Sequence, residues 1–256
     1  MLLAIDIGNT NIVLGVFDGE NLKATWRIST DVHKLEDEYA VVLLNLLSMK
    51  GLRFADIDAA VLASTVPPLV TIFDEMCRSY FKVTPLVVGP GTKTGVKVAL
   101  DNPREAGADR VLNAAAAHKR YSGPLIVIDF GTATTLDAVS EEGDYLGGAI
   151  APGILISAEA LFERAAKLPR VELVRPPKAI GRGTITAMQS GIIFGYVGLI
   201  EGIVARMKKE LGGEVKVIAT GGLADIIARE TGIVDAIEPD LTLFGLRMVY
   251  EMNSER

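Results

Sequence analysis

The sequence predicts an α/β protein made of two duplicated domains, each a mixed β-sheet flanked by helices, with a nucleotide cleft between them. Three observations carry that reading. Two apolar runs close on the same kind of small polar turn, 123 positions apart. Each turn is followed by further strand-like segments, so adjacent strands are joined by hairpins. Downstream of each, strand-like and helix-like periodicity alternate, as in layered α/β architectures.

The first run, Leu2–Ile7, ends in Asp6, Gly8, Asn9, Thr10 and Asn11 before strand character resumes at Ile12–Phe17. Backbone amides and short side chains in such a turn can cradle phosphate while the carboxylate holds a hydrated cation. A plain hairpin reads the same way when taken alone. The second run, Leu125–Ile128, continues as Asp129-Phe-Gly131-Thr132-Ala-Thr134. Asp6 matches Asp129, Gly8 matches Gly131, Asn9 matches Thr132 and Asn11 matches Thr134 at the same spacing. Further strands are expected at 21–28 and 144–150. A period of half the chain indicates duplicated domains rather than a solenoid, and a pair of such turns favours a nucleotide site. The boundary is placed between residues 115 and 116.

Helices are expected over 34–50, where Tyr39, Val42, Leu43, Leu46 and Leu47 share one face, and over 69–81 after the break at Pro67-Pro68. Strands are expected at 59–64 and 86–88. An Ala-rich helix over 111–120 follows Gly107-Ala108-Asp109-Arg110. An acid there is favoured by the helix dipole, so Asp109 reads equally as a cap or as a base that accepts a hydroxyl proton. Arg110 beside it could grip a substrate carboxylate. Residues 154–168 read as a helix ended by Pro169. A glycine loop then leads to Thr184, a natural N-cap whose hydroxyl could instead bond a ligand.

The helix over 186–207 is apolar on most faces and carries Gly191, Gly195, Gly198 and Gly202, which suggests close packing in a core or between subunits. A strand at 215–220 runs into Gly221-Gly222, which suits a flat adenine ring or an αL turn. Helices over 223–230 and 241–252 complete the chain. Neither GxGxxG at a strand-to-helix turn nor GxxxxGK[ST] is present, so a dinucleotide fold and a P-loop kinase are unsupported.

Composition narrows the function. The chain has 256 residues, a net charge of −6 and no basic run, so nucleic acid is not an expected partner. It is 49% hydrophobic but only 6% aromatic, which calls for aliphatic cores. One cysteine, Cys77, permits no internal disulfide and fits a reducing compartment. No signal peptide and no uninterrupted apolar run of membrane-spanning length is read, so a cytoplasmic location without membrane contact is expected.

With these motifs in place, the chain resembles the type III pantothenate kinases, members of the actin/hexokinase/Hsp70 superfamily, over essentially its whole length. The likeness rests on Asp6-x-Gly-Asn-Thr-Asn11, Asn102-Pro103 through Gly107-Ala108-Asp109-Arg110, Asp129-x-Gly-Thr-Ala-Thr134 and Gly221-Gly222. It implies two actin-like (ribonuclease H-like) domains and ATP-dependent phosphorylation of the primary hydroxyl of pantothenate, the first step towards coenzyme A. By the same resemblance, Asp6, Gly8, Asn9, Thr10, Asn11 and Thr132 hold the nucleotide phosphates, Asp6 also serving Mg²⁺, and Gly221 and Gly222 serve the nucleotide. Asp129 would bind a monovalent cation, K⁺ or NH₄⁺. Gly107, Ala108, Asp109, Arg110 and Thr184 would contact pantothenate, with Asp109 as general base, and the protein would be a homodimer. Leu100 stands where many relatives carry tyrosine, and Gly183 where a small polar residue is common. The rival readings are another small-molecule kinase or phosphatase of the superfamily, and a non-catalytic nucleotide-binding regulator or scaffold.

Overall fold

A computed structural model describes residues 1–254. The chain forms two compact units. The first comprises Met1–Lys97, Asn102–Ala116 and the C-terminal segment from Leu241; the second comprises Val98–Asp101 and Ala117–Asp240.

In the first unit, β1 (Leu2–Ile7), β2 (Asn11–Asp18) and β3 (Asn21–Ser29) form an antiparallel meander. The strands β4 (Ala59–Ser64) and β5 (Leu86–Val87) add in parallel, giving the order β3-β2-β1-β4-β5. The centre of the sheet is buried on both faces, which explains why β1 and β4 read as continuous apolar runs rather than alternating ones. Leu3, Ile5 and Ile7 point into a core shared with α1 (Glu36–Ser48) and α2 (Pro67–Met76), through Tyr39, Leu43, Leu69 and Phe73. The alternate residues, Ala4, Val61 and Ala63, face α3 (Ala108–Arg120) and the last helix, α7 (Leu241–Ser254), through Leu112, Leu243, Leu246 and Val249.

The helix α2 starts two residues before its expected position because Pro67 and Pro68 occupy its first turn, where a missing N–H costs nothing. The last helix belongs here rather than with residues 116–240. Its apolar stripe covers β1 and β4, and it crosses α3 so closely that a Cβ on Gly245 would stand 2.5 Å from the Leu112 carbonyl oxygen. The expected division into 1–115 and 116–256 is therefore corrected at its far end.

The second unit repeats the sheet. Here β6 (Leu125–Phe130), β7 (Ala133–Val139) and β8 (Tyr145–Pro152) form the meander, and β9 (Lys216–Thr220) and β10 (Ala236–Ile237) add in parallel. The order β8-β7-β6-β9-β10 mirrors that of the first unit. Its core gathers Ile126, Ile128 and Phe130 with α4 (Ile154–Arg164), α5 (Thr184–Leu211) and α6 (Ala224–Ala228). The helix α4 stops short of the expected Leu168, which instead folds back against this core.

By length and composition α5 alone among the described helices could cross a membrane. Its buried residues, including Met188, Ile193, Ile200 and Val204, belong to the core of this unit.

The duplication slips by one residue at the turns. Ile7 pairs with Ile12 across a turn of four residues, Gly8–Asn11; Phe130 pairs with Thr134 across three, Gly131–Ala133. The register break in the return strand recurs 122 positions on, at Val16/Phe17 and Ala138/Val139. Asn11 is therefore equivalent to Ala133, not to Thr134 as the sequence spacing suggests. Thr134 occupies the fully buried place of Ile12.

Candidate active site

In the first unit, β1 ends by carrying Asp6, half-buried, into the Gly8–Asn11 turn, where Asn9, Thr10 and Asn11 are exposed. The turn is closed by the Gly8 N–H donating to the Asn11 carbonyl at 3.0 Å. Two threonines that the sequence reading passed over brace it. The Thr30 hydroxyl donates to the Gly8 carbonyl at 2.6 Å, and the Thr30 N–H donates to the Thr10 carbonyl at 3.0 Å. On the other side the Thr65 N–H donates to the Ile7 carbonyl at 2.9 Å, and Asn9 reaches the Thr65 hydroxyl at 3.5 Å. Both threonines directly follow strands that flank the turn, a cue visible only once the sheet order is known.

Asp109 and Arg110 lie in the first turn of α3, both half-buried. The helix is opened by Gly107, whose carbonyl accepts from the Val111 N–H at 3.1 Å, so Gly107 holds the capping place. Asp109 is thus not the cap residue. One of its carboxylate oxygens accepts the Arg110 N–H at 2.9 Å, and a Cβ on Gly107 would stand 2.5 Å from that same oxygen. A side chain there would push the carboxylate out of this place. Upstream, Asn102 caps a short 3₁₀ turn at Pro103–Glu105, accepting the Arg104 N–H at 3.3 Å and donating to Glu105 at 2.8 Å.

In the second unit Asp129, half-buried near the end of β6, lies against two glycines. An added Cβ on Gly131 would come within 3.6 Å of its carboxylate, and one on Gly221 would collide with it. Gly221 has φ +92°, a conformation closed to most side chains. Thr132 is exposed, and Gly222 is exposed beside Gly221.

Thr184 is the first residue of α5, and Gly183 holds its N-cap position. The side chain that ties this end is Thr186, which bonds both the N–H and the carbonyl of Gly183. The expected N-cap role of Thr184 is corrected accordingly. Its exposed hydroxyl lines a cavity of about 670 Å³ with Ser157, Leu161, Met188 and Tyr196. Gly191, Gly195 and Gly198 are exposed, and nothing in the chain lies within 4 Å of where their Cβ atoms would be. They do not serve close packing within this chain.

Among the described residues no three His, Cys, Asp or Glu side chains cluster tightly enough to cage a metal ion. A divalent ion here would have to rely on single carboxylates, substrate phosphates and water. That donor set suits Mg²⁺, which keeps much of its hydration and binds nucleotide phosphates. The buried Cys77 thiol is pushed up to about 12 by burial and then by Asp74, and lies in the first unit's core.

Residues 2–206 match the model of the type III pantothenate kinase family. The type III pantothenate kinase of Moorella thermoacetica is 56% identical over 254 residues, covering 99% of this chain and 100% of that protein. That of Geobacillus sp. (strain WCH70) is 54% identical over 256 residues, covering 100% and 99%. Among solved structures, the ADPNP-bound activator of 2-hydroxyisocaproyl-CoA dehydratase from Clostridium difficile aligns with a TM-score of 0.54 at 16% identity, covering 100% of this chain and 97% of that one. That likeness shows a shared actin-like ATPase fold. The matched family model and the two full-length relatives place this chain in the type III pantothenate kinase family.

Proposed function

We propose that this protein transfers the γ-phosphoryl group of ATP to the primary hydroxyl of pantothenate, the opening step of coenzyme A synthesis. The observation that carries the reading is family membership, matched by two relatives over essentially the full chain, joined to Asp109 and Arg110 opening α3 behind a glycine. In this reaction the hydroxyl oxygen bonds to the γ-phosphorus, the bond to the β–γ bridging oxygen breaks, and ADP leaves. Asp109 orients the hydroxyl and takes its proton. Phosphoryl transfer asks for alignment and charge neutralisation more than covalent chemistry, and its loose transition state releases that proton late, so an ordinary carboxylate suffices.

Gly107, Ala108, Arg110 and Thr184 are assigned to pantothenate, with the Arg110 guanidinium holding the substrate carboxylate. Asp6, Gly8, Asn9, Thr10, Asn11 and Thr132 are assigned to the phosphates, and Gly221 and Gly222 to the nucleotide. Asp6 would hold Mg²⁺ and Asp129 a monovalent cation, K⁺ or NH₄⁺. These ions, when bound, neutralise phosphate charge. The glycines pressed against Asp129 support that assignment, since they keep larger side chains away from its carboxylate.

We assign the protein to the cytoplasm and read it as a homodimer. The exposed glycine stripe of α5, with Leu155, Ile156 and Leu161 exposed on α4, supports self-association.

The deciding experiment measures ADP release with ATP, Mg²⁺ and K⁺, with and without pantothenate, and identifies the product by mass. Pantothenate-dependent ADP together with phosphopantothenate is expected. ADP release indifferent to pantothenate would replace this reading with an ATPase or a kinase for another acceptor.

A further inference from the structure

The interior of the second unit holds a polar pair that packing alone does not explain. Tyr196, on α5, is 6% exposed and lies among Met188, Ile192, Ile193 and Val197, where phenylalanine would fill the same space. Its hydroxyl bonds that of Thr134, which is fully buried. Buried hydroxyls need such partners, and Tyr196 has a second one in the Ile154 backbone. Burial pushes the Tyr196 phenol up, and the bonds from Thr134 and the Ile154 backbone hold it partly back.

The place of Thr134 matters. It pairs with Phe130 and so closes the Gly131–Ala133 turn, whereas the corresponding position in the first unit is filled by Ile12. The other side of the turn is held by the start of α4. The Gly153 N–H donates to the Thr132 carbonyl at 3.1 Å, and a Cβ on Gly153 would collide with that oxygen. Ile154, the next residue, lies in the same core cluster as Tyr196. Thr132 is thus carried by a turn clamped between α4 and α5, directly after the strand that carries Asp129, and the Tyr196 hydroxyl joins α5 to it.

We propose that Tyr196 is a positioning residue for nucleotide binding, setting the Gly131–Ala133 turn through Thr134. The inference rests on the assignment of Thr132 to the ATP phosphates. Tyr196 is not assigned to the reacting atoms; it acts through the turn.

The test is Tyr196→Phe, which keeps the ring and removes the hydroxyl. The KM for ATP is expected to rise about tenfold, the value of one net buried hydrogen bond, and by clearly more than the KM for pantothenate, which can shift a little because Tyr196 also lines the cavity that holds Thr184. Thr134→Val, which leaves the Ile154 bond in place, should move the ATP KM in the same direction by no more than that, and the double variant should be no worse than Tyr196→Phe. Tyr145→Phe is the control: its buried hydroxyl bonds Asp137 at 2.8 Å in the same unit, and its loss should lower Tm without moving the ATP KM. An unchanged ATP KM in Tyr196→Phe, or equal shifts in both KM values with the Tm loss of the control, would overturn the proposal. Affinity for a non-hydrolysable ATP analogue, measured calorimetrically, separates the two layers of the argument. Wild type that binds the analogue without phosphorylating pantothenate would sink the reaction, and the tie would still be judged by the variant's loss of affinity. Wild type that binds no nucleotide would sink both.

Discussion

Asp109 shows how one side chain can fit two readings until its neighbours are placed. From the sequence it could cap α3 or serve as a base; with Gly107 in the capping place, its carboxylate turns back over that glycine instead. Asp109→Ala should lower kcat by about 10²–10⁴, the usual contribution of a general base, with ATP affinity nearly unchanged. Loss of ATP binding to the same extent, measured by titration, would remove the base assignment. Gly107→Ala tests the same geometry more gently, because its methyl group would crowd the carboxylate and should cut kcat with little effect on Tm. Arg110→Ala should chiefly raise the pantothenate KM, as a uniform binding contact does. Cys77 lies at the other extreme. With its thiol buried and its pKa raised to about 12, it should resist a disulfide reagent at pH 8 in the native protein and react only on unfolding. Rapid labelling of the folded chain would contradict that burial.

At the scale of elements, the strands were the most legible part of the sequence. Apolar runs closed by small polar turns leave few alternatives, and β1, β4, β6 and β9 lie within a residue or so of their expected places. What periodicity could not deliver was register. The two turns look like copies at a constant spacing, yet one is a residue shorter, and only the pairing of Phe130 with Thr134 reveals it. Helix ends were similarly hidden, because tertiary contacts decide them. Leu168 leaves the helical path to pack on the core, and Thr186 rather than Thr184 ties the start of α5. The glycines of α5 were visible as a stripe, but whether they faced inward depended on which residues the sheet claimed. They face out, and a Cβ on Gly195 has open space around it, so Gly195→Glu starts without a clash. In the dimer reading, this variant should sediment as a monomer with its Tm little changed. A variant that remains dimeric would move the interface elsewhere.

Across the whole molecule, the duplication into two mixed sheets could be read from sequence. The return of the C-terminal helix to the first sheet could not. Its amphipathic pattern calls for an apolar partner without saying which sheet supplies it. Removing residues 241–254 should uncover Ala4, Val61 and Ala63 and lose about the energy of burying three large aliphatic side chains, roughly 5–9 kcal/mol, enough to unfold an ordinary domain. Circular dichroism and sedimentation of the truncated chain test this; a folded, soluble product would show that α7 is dispensable.

That helix also sets an order of events during synthesis. Domains tend to fold as they leave the ribosome, starting from the N-terminus. Here the first sheet emerges early but waits for a cover encoded after the whole of the second unit. Residues 117–240, by contrast, leave as one continuous stretch. The half of the protein translated first is therefore the half completed last, and until α7 emerges its partly covered face is a natural client for a chaperone.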